Sequence, residues 1–348
     1  MIVLNIKLYM RKKWLPFIFI VCCIACSEKE MEKHQGKRDN VVDVRDKLIE
    51  IEINNVLFNR IVEPYIFSDY LVLVDRNSEG KLIHILDKDS FRYVSSAGQL
   101  GRGPGEITNM GDVEFDETYN QLLVTDHTKQ CVFAYSMDSL LSDPWHFPYI
   151  KTRLDEKLFI SRYVYISDTL SIGQLIEPTS NSTFREFMAK WNMASGAIEK
   201  MPYEHPDIDI DDKRFTFAVS EKYGLYVECN NNHDLMTICS LDGELKCNIY
   251  GDKWSARNSR NMVYYAFDAA FCGDKILALY IGENNIDDNG SFSNPTKFLM
   301  FDINGDYIKT LETGYVIQYF CYDEENNRVI MSLDDEMQFA YLDLNDLL

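Results

Sequence analysis

The chain is poor in positive charge. Lys and Arg total 35 against 55 Asp and Glu, a formal net charge of −20. Phosphate binding needs a basic face, so a nucleic-acid partner is not expected. Six cysteines lie beyond residue 30, at Cys131, Cys229, Cys239, Cys247, Cys272 and Cys321, and none forms a Cys-x-x-Cys pair. That argues against a zinc knuckle. The six histidines, 34, 84, 127, 146, 205 and 233, include no His-x-x-x-His pair, which argues against a zincin. No Gly-x-Ser-x-Gly elbow occurs, so a local serine-hydrolase motif is missing. Convincing amphipathic helical periodicity is nearly absent; Asp138–Ser142 is the one short candidate turn. The first apolar run, Trp14 to Ala25, is too short to span a bilayer as a helix.

What is present is strand pattern. Hydrophobic residues make up 46% of the 348 residues, enough for a sizeable core. Aromatics reach 13%, with 21 Tyr and 20 Phe, which suits strands better than helices. Ile49, Ile51 and Ile53 alternate with Glu50 and Glu52, the signature of a half-buried strand over Lys47–Ile53. Tyr70–Asp75 and Leu82–Asp87 follow, joined by Arg76–Lys81, whose Asn77 and Gly80 suit a turn.

This unit recurs. Val113–Asp116, Gln121–Asp126 and Cys131–Tyr135 form a second set, and the phrase around Thr125-Asp126 parallels that around Val74-Asp75. Further sets begin near Tyr163, Phe215, Val263 and Val316. A spacing of about 40–50 residues per set is what a propeller blade requires. Asp242-Gly243 and Asn304-Gly305 mark tight turns between outer strands. The last set is one strand short, and Lys47–Ile53 is surplus at the front. Pairing of the two would close a ring and remove its exposed edges. The expected class is all-β: a six-bladed β-propeller over residues 44–348.

The organising stretch is Gly98-Gln99-Leu100-Gly101-Arg102-Gly103-Pro104-Gly105-Glu106-Ile107, between the first and second sets. Its glycines tolerate positive φ and its proline removes a donor, so it reads as a structured crossing between sheets. A phosphate cradle would need a following helix or a Gly-Lys-Ser/Thr phrase, and neither is there. Arg102 and Glu106 either brace the crossing as an ion pair or face the channel as ligand contacts. His127 follows Asp126 in a loop that can line one face of the ring. These three are the candidate ligand-binding residues, and no catalytic residue stands out. Asp207–Asp212 and Asp287–Gly290 read as solvated acidic loops without a full calcium ligand set. No metal site or cofactor is expected. Tyr163, Trp191, Tyr264 and Tyr265 read as core. The six later cysteines read as buried thiols, with Cys229–Cys239 or Cys239–Cys247 pairing open in an exported chain.

The N-terminal thirty residues read as an address. Arg11-Lys12-Lys13 precedes the apolar run, which ends at Cys23-Ile24-Ala25-Cys26. This resembles a bacterial lipoprotein signal peptide over residues 1–25 with Cys26 as the lipid acceptor. The family usually has Leu where Cys23 stands, and Cys23 is the second candidate. An ordinary secretory signal is the plainer reading. Residues 26–43 are polar, charged and without periodicity, and read as a disordered tether. Its acidic start resembles an export signal of Bacteroidetes lipoproteins, and equally a solvated spacer.

The Gly98–Ile107 phrase resembles the blade-to-blade phrase of NHL-like and TolB-like six-bladed propellers. With the leader and the acidic chain, the whole resembles TolB-like propeller lipoproteins of Bacteroidetes. That resemblance implies an outer-membrane lipoprotein, open to surface exposure, and a binding module for a protein, peptide or glycan, with membrane contact through the lipid alone. The alternative is a propeller-type hydrolase or lyase, metal-assisted in one form, since such enzymes assemble sites from scattered loops.

Overall fold

A computed structural model describes residues 31–54, 56–155, 157–257, 262–283 and 296–348. The leader, Cys26 and Asp287–Gly290 lie outside the described residues. Three short strands come first: β1 (Glu32–His34), β2 (Val41–Asp43) and β3 (Ile49–Glu50). Blade 1 holds β4 (Glu63–Phe67), β5 (Tyr70–Val74), β6 (Lys81–Asp87) and β7 (Tyr93–Gln99). Blade 2 holds β8 (Met110–Asp116), β9 (Gln121–Asp126), β10 (Cys131–Ser136), helix α1 (Met137–Ser142) and β11 (Tyr149–Arg153). Blade 3 holds β12 (Phe159–Ser167), β13 (Leu170–Pro178), β14 (Phe184–Asn192) and β15 (Ala197–Lys200). Blade 4 holds β16 (Phe215–Ser220), β17 (Leu225–Asn230), β18 (Leu235–Ser240) and β19 (Leu245–Tyr250). Blade 5 holds β20 (Val263–Cys272), β21 (Lys275–Glu283), β22 (Lys297–Asp302) and β23 (Tyr307–Glu312). Blade 6 holds β24 (Ile317–Asp323), β25 (Arg328–Leu333) and β26 (Phe339–Asp343).

Each blade is an antiparallel meander. Six apolar clusters fill the space between neighbouring blades, one at each junction around the ring. The strands are therefore buried on both faces, which is why runs such as Leu71-Val72-Leu73-Val74 are apolar throughout rather than alternating. The ring closes as expected. β3 pairs antiparallel with β26, with Glu50 opposite Ala340 and Ile49 opposite Tyr341. The expected face of β3 is corrected in part: Ile51 is buried, but Ile49 is 47% exposed because β3 is an outermost strand.

The tether expected over residues 26–43 is corrected from residue 31 onward, and residues 26–30 lie outside the described residues. β1 joins blade 4 as a fifth strand, parallel to β19, and β2 joins blade 5 in the same way along β23. Residues 31–53 thus form a strap over the rims of blades 4, 5 and 6. Strands of three residues are too short to carry a periodicity, and parallel backbone pairing to β19 and β23 places them.

The repeated aspartate has a mechanical role. The Asp75 carboxylate accepts the Asn59 N–H at 2.8 Å and the Asn77 N–H at 3.1 Å. Asp126 accepts the Thr108 N–H at 2.7 Å and the Lys129 N–H at 3.0 Å. Each buried carboxylate ties its own turn to the chain entering that blade. The Gly98–Ile107 crossing joins the outer strand of blade 1 to the inner strand of blade 2. Ile107 is fully buried against Gly98, whose φ of +68° and lack of Cβ allow the approach. All six cysteines beyond residue 30 are free thiols, five of them buried.

Candidate functional site

The six innermost strands β4, β8, β12, β16, β20 and β24 surround a central cavity of about 400 Å³. A second space of about 200 Å³, lined by Glu63, Arg76, Arg162, Asn231 and Tyr319, opens where the chain enters these strands. The lining is charged. Glu63, Asp112, Glu114 and Asp268 face Arg162 in the central cavity, among Tyr65, Tyr163, Phe217, Tyr319 and Phe320.

Arg76 organises the mouth. It grips Glu63 with both arms, Nε to Oε1 at 2.7 Å and Nη2 to Oε2 at 2.6 Å. Its remaining arm donates to the Met110 carbonyl at 2.9 Å and to the Gly111 carbonyl, linking blades 1 and 2. Tyr65 donates to Glu63 at 2.9 Å. Burial alone would raise the Glu63 pKa; the Arg76 hydrogen bonds and charge outweigh it and hold the carboxyl below its usual range. Glu63 is thus an occupied anion.

The other carboxylates are less satisfied. Asp112 accepts the Tyr163 N–H at 2.7 Å, and Glu114 accepts the Tyr165 N–H at 3.2 Å. Burial, then the charge of Asp112, pushes Glu114 well above the usual carboxyl range. Burial pushes Asp268 up to about 7 against the opposing charge of Arg162, which lies 3.8 Å away. Burial thus shifts Glu114 toward its neutral form, and Asp268 is poised between its two forms near neutral pH.

The residues singled out from sequence lie elsewhere. Arg102 is exposed on the crossing. No ion pair joins it to Glu106 among the described residues, which corrects the expected brace. Instead Glu106 accepts the Gly103 N–H at 2.6 Å, and Lys129 donates to the Gly103 and Glu106 carbonyls at 2.6 and 2.5 Å. His127 is wedged against Gly111, where an added Cβ would lie 2.4 Å from its Nε2, and its ring is 5.6 Å from Phe159. None of the three lines the central cavity. Tyr163, Trp191, Tyr264 and Tyr265 are core, and Asp207, Asp209, Asp211 and Asp212 are exposed.

Sequence reading missed Glu63, Arg76, Asp112, Glu114, Arg162 and Asp268. A signal was present: several are charges set inside the otherwise apolar first strand of a set, as in Asp112-Val113-Glu114-Phe115. Among the described residues no three His, Cys, Asp or Glu side chains converge closely enough to hold a metal ion.

A family model, DUF5128, described as a 6-bladed beta-propeller, matches residues 31–165. No curated protein matches the chain. Among solved structures, a DUF4221 family member from Bacteroides vulgatus superposes with a TM-score of 0.59 at 11% identity, covering 85% of this chain and 96% of that one. The calcium-binding protein regucalcin from Agrobacterium tumefaciens superposes with a TM-score of 0.52 at 9% identity, covering 87% and 95%. Identities this low speak to architecture alone, and they agree with the ring built above: the chain is an all-β, six-bladed β-propeller.

Proposed function

We propose that the protein is a cell-envelope binding module, of the TolB-like or NHL-like kind, that takes a peptide or glycan in its central channel. The carrying observation is the imbalance of charge there: five carboxyl groups, Glu63, Asp112, Glu114, Asp268 and Glu324, against Arg162 in the cavity and Arg76 at its mouth, with Glu63 already held by Arg76. Asp112, Glu114 and Asp268 remain to accept from O–H and N–H donors, and the tyrosine and phenylalanine rings offer apolar faces to a sugar or side chain. The ligand is therefore rich in hydrogen-bond donors and neutral or cationic.

The test is calorimetry over a panel of neutral and amino oligosaccharides and basic peptides. Asp268→Asn should weaken a cationic ligand by about tenfold, the scale of one charged hydrogen bond. Binding to the parent should tighten as pH rises through 7, where Asp268 ionises. Failure of every panel member, or indifference to both the substitution and pH, would sink this reading. Stability should move the opposite way. The Asp268 pKa in the folded chain, about 7, lies above its ordinary 3.8, so folded protein binds more protons between those values. Stability from this group falls as pH climbs that window. The advantage of Asp268→Asn in thermal denaturation should be smallest near the lower value, grow toward the upper one, and stay constant beyond it.

A second reading, a hydrolase or lyase, is favoured by the same carboxyl, since a group titrating near neutrality suits proton transfer. It predicts turnover that Asp268→Asn abolishes while binding persists.

The anchor completes the proposal. A lipid on Cys26 would place the protein in the outer membrane, and only four residues separate Cys26 from Met31. The lipid would then sit close to the rim of blade 4, where β1 begins. Labelled palmitate should enter the wild-type chain and be lost in Cys26→Ala; label retained in that variant would move the site to Cys23 or remove the claim.

A further inference from the structure

The outer edge of blade 2 differs from the rest of this acidic surface. Between the Gly98–Ile107 crossing and β11 lies an open groove of about 590 Å³. Its lining includes Arg102, Lys129 and Arg153, together with Phe133, Phe147 and Ile150, and no acidic side chain. Phe147 is 70% exposed, and its neighbours Trp145 and Tyr149 are 68% and 53% exposed. Gly105 makes room for the Phe147 ring, since an added Cβ would come within 2.6 Å of it. In a chain of net charge −20, Arg38, Arg76, Arg185 and Arg328 all have carboxylate partners. Among the described residues neither the Arg102 nor the Arg153 guanidinium has an ion-pair partner, and both border this groove.

We propose that this groove docks an extended acidic peptide segment carrying aromatic or aliphatic residues, laid along the outer edge of β11. Unpaired guanidiniums on an apolar floor attract carboxylates flanked by hydrophobic side chains. The ring itself shows the mode. Blades 4 and 5 each take a short extended segment along their outermost strand, through β1 and β2, whereas among the described residues β11 has no strand on its outer side. The concave shape, with cations inside the groove, favours a peptide over a flat lipid surface. This site is separate from the central channel, so the two readings stand or fall independently.

The test is selection of a displayed library of random short peptides on the full mature chain. Enriched sequences should interleave Asp or Glu with aromatic or aliphatic residues, and their affinity should fall with salt. The double variant Arg102→Glu/Arg153→Glu should weaken them by about tenfold or more. Both side chains are exposed, so the fold should survive, as an unchanged melting curve would show. Phe147→Ser should weaken the same peptides, while Asp268→Asn in the channel should not. The proposal is overturned if no acidic sequences are enriched, or if binding survives the double charge reversal. It is equally overturned if the groove is covered by a second copy, seen as a dimer in sedimentation that the double variant dissolves. Co-sedimentation with phosphatidylglycerol vesicles, lost in that variant, would assign it to membrane and overturn it too.

Discussion

Arg38→Ala is expected to lower the unfolding free energy by about 3–5 kcal/mol, the cost of breaking a buried ion pair by removing one partner. Arg38 lies in the strap between β1 and β2, a position that composition alone assigns to disorder. Its Nη1 donates to Asp234 at 2.9 Å, and its Nη2 reaches the Tyr265 hydroxyl at 3.3 Å. The guanidinium also lies over Tyr280, 5.3 Å from the ring centre, and Phe301, at 5.8 Å. Asp234 lies in the turn between β17 and β18 of blade 4, and the three rings belong to blade 5. The Asp234 side chain is fully buried, so without Arg38 its charge keeps, among the described residues, the Tyr280 hydroxyl at 3.2 Å and the Lys253 N–H at 3.3 Å. Adding Asp234→Asn to Arg38→Ala should recover part of the loss, because the orphaned charge is then gone. The strap should loosen as well, opening Gln35–Asn40 to proteases. Urea denaturation measures the first effect and limited digestion the second. A loss under about 1 kcal/mol, the range of an exposed pair, would mean that Arg38 merely decorates the surface.

Gly173→Ala is the second large effect. Gly173 lies in β13 directly opposite Tyr163 of β12. A Cβ there would stand 2.2 Å from the Arg162 carbonyl oxygen and 2.7 Å from the Tyr163 Cα. These are backbone atoms of the innermost strand, so no rotamer change relieves the clash; the strand itself must shift. Overpacking of this kind costs about 1–3 kcal/mol or more. The shift also moves Arg162 and so disturbs the channel, coupling a stability loss to weaker ligand binding. Gly80→Ala is the matched control. Nothing lies within 4 Å of its added Cβ, and its φ is not positive. That substitution should be neutral or slightly stabilising. Thermal melts of the pair give the comparison: equal melting temperatures would show that β12 can retreat freely.

How far the sequence reaches is visible in particular elements. The blade spacing, the Gly98–Ile107 crossing and the pairing of β3 with β26 could all be read in advance. Local chemistry decides them: apolar runs of strand length, turns of Asn, Asp and Gly, and a set short by one strand. α1 was legible as one turn, and its Ser136 cap, which accepts from the Ser139 N–H at 3.4 Å, is local too. β1, β2 and β11 were not legible. Each lies at an outer edge, where side chains are partly or wholly exposed and no burial pattern is imposed.

The sequence by itself determined that this chain makes repeated twisted sheets whose both faces must be covered, because its strands are too apolar to leave either face in water. It did not determine where Glu63, Asp112, Glu114, Arg162 and Asp268 meet. Those residues are spread over four blades and about two hundred positions of chain, and each is only a charge in an apolar strand until the ring closes. Closure turns the first strand of every blade inward and sets those charges around one cavity, where burial raises Asp268 toward neutrality. The strap's hold on blades 4 and 5 has the same origin: Arg38 acquires its partners only when two blades stand side by side.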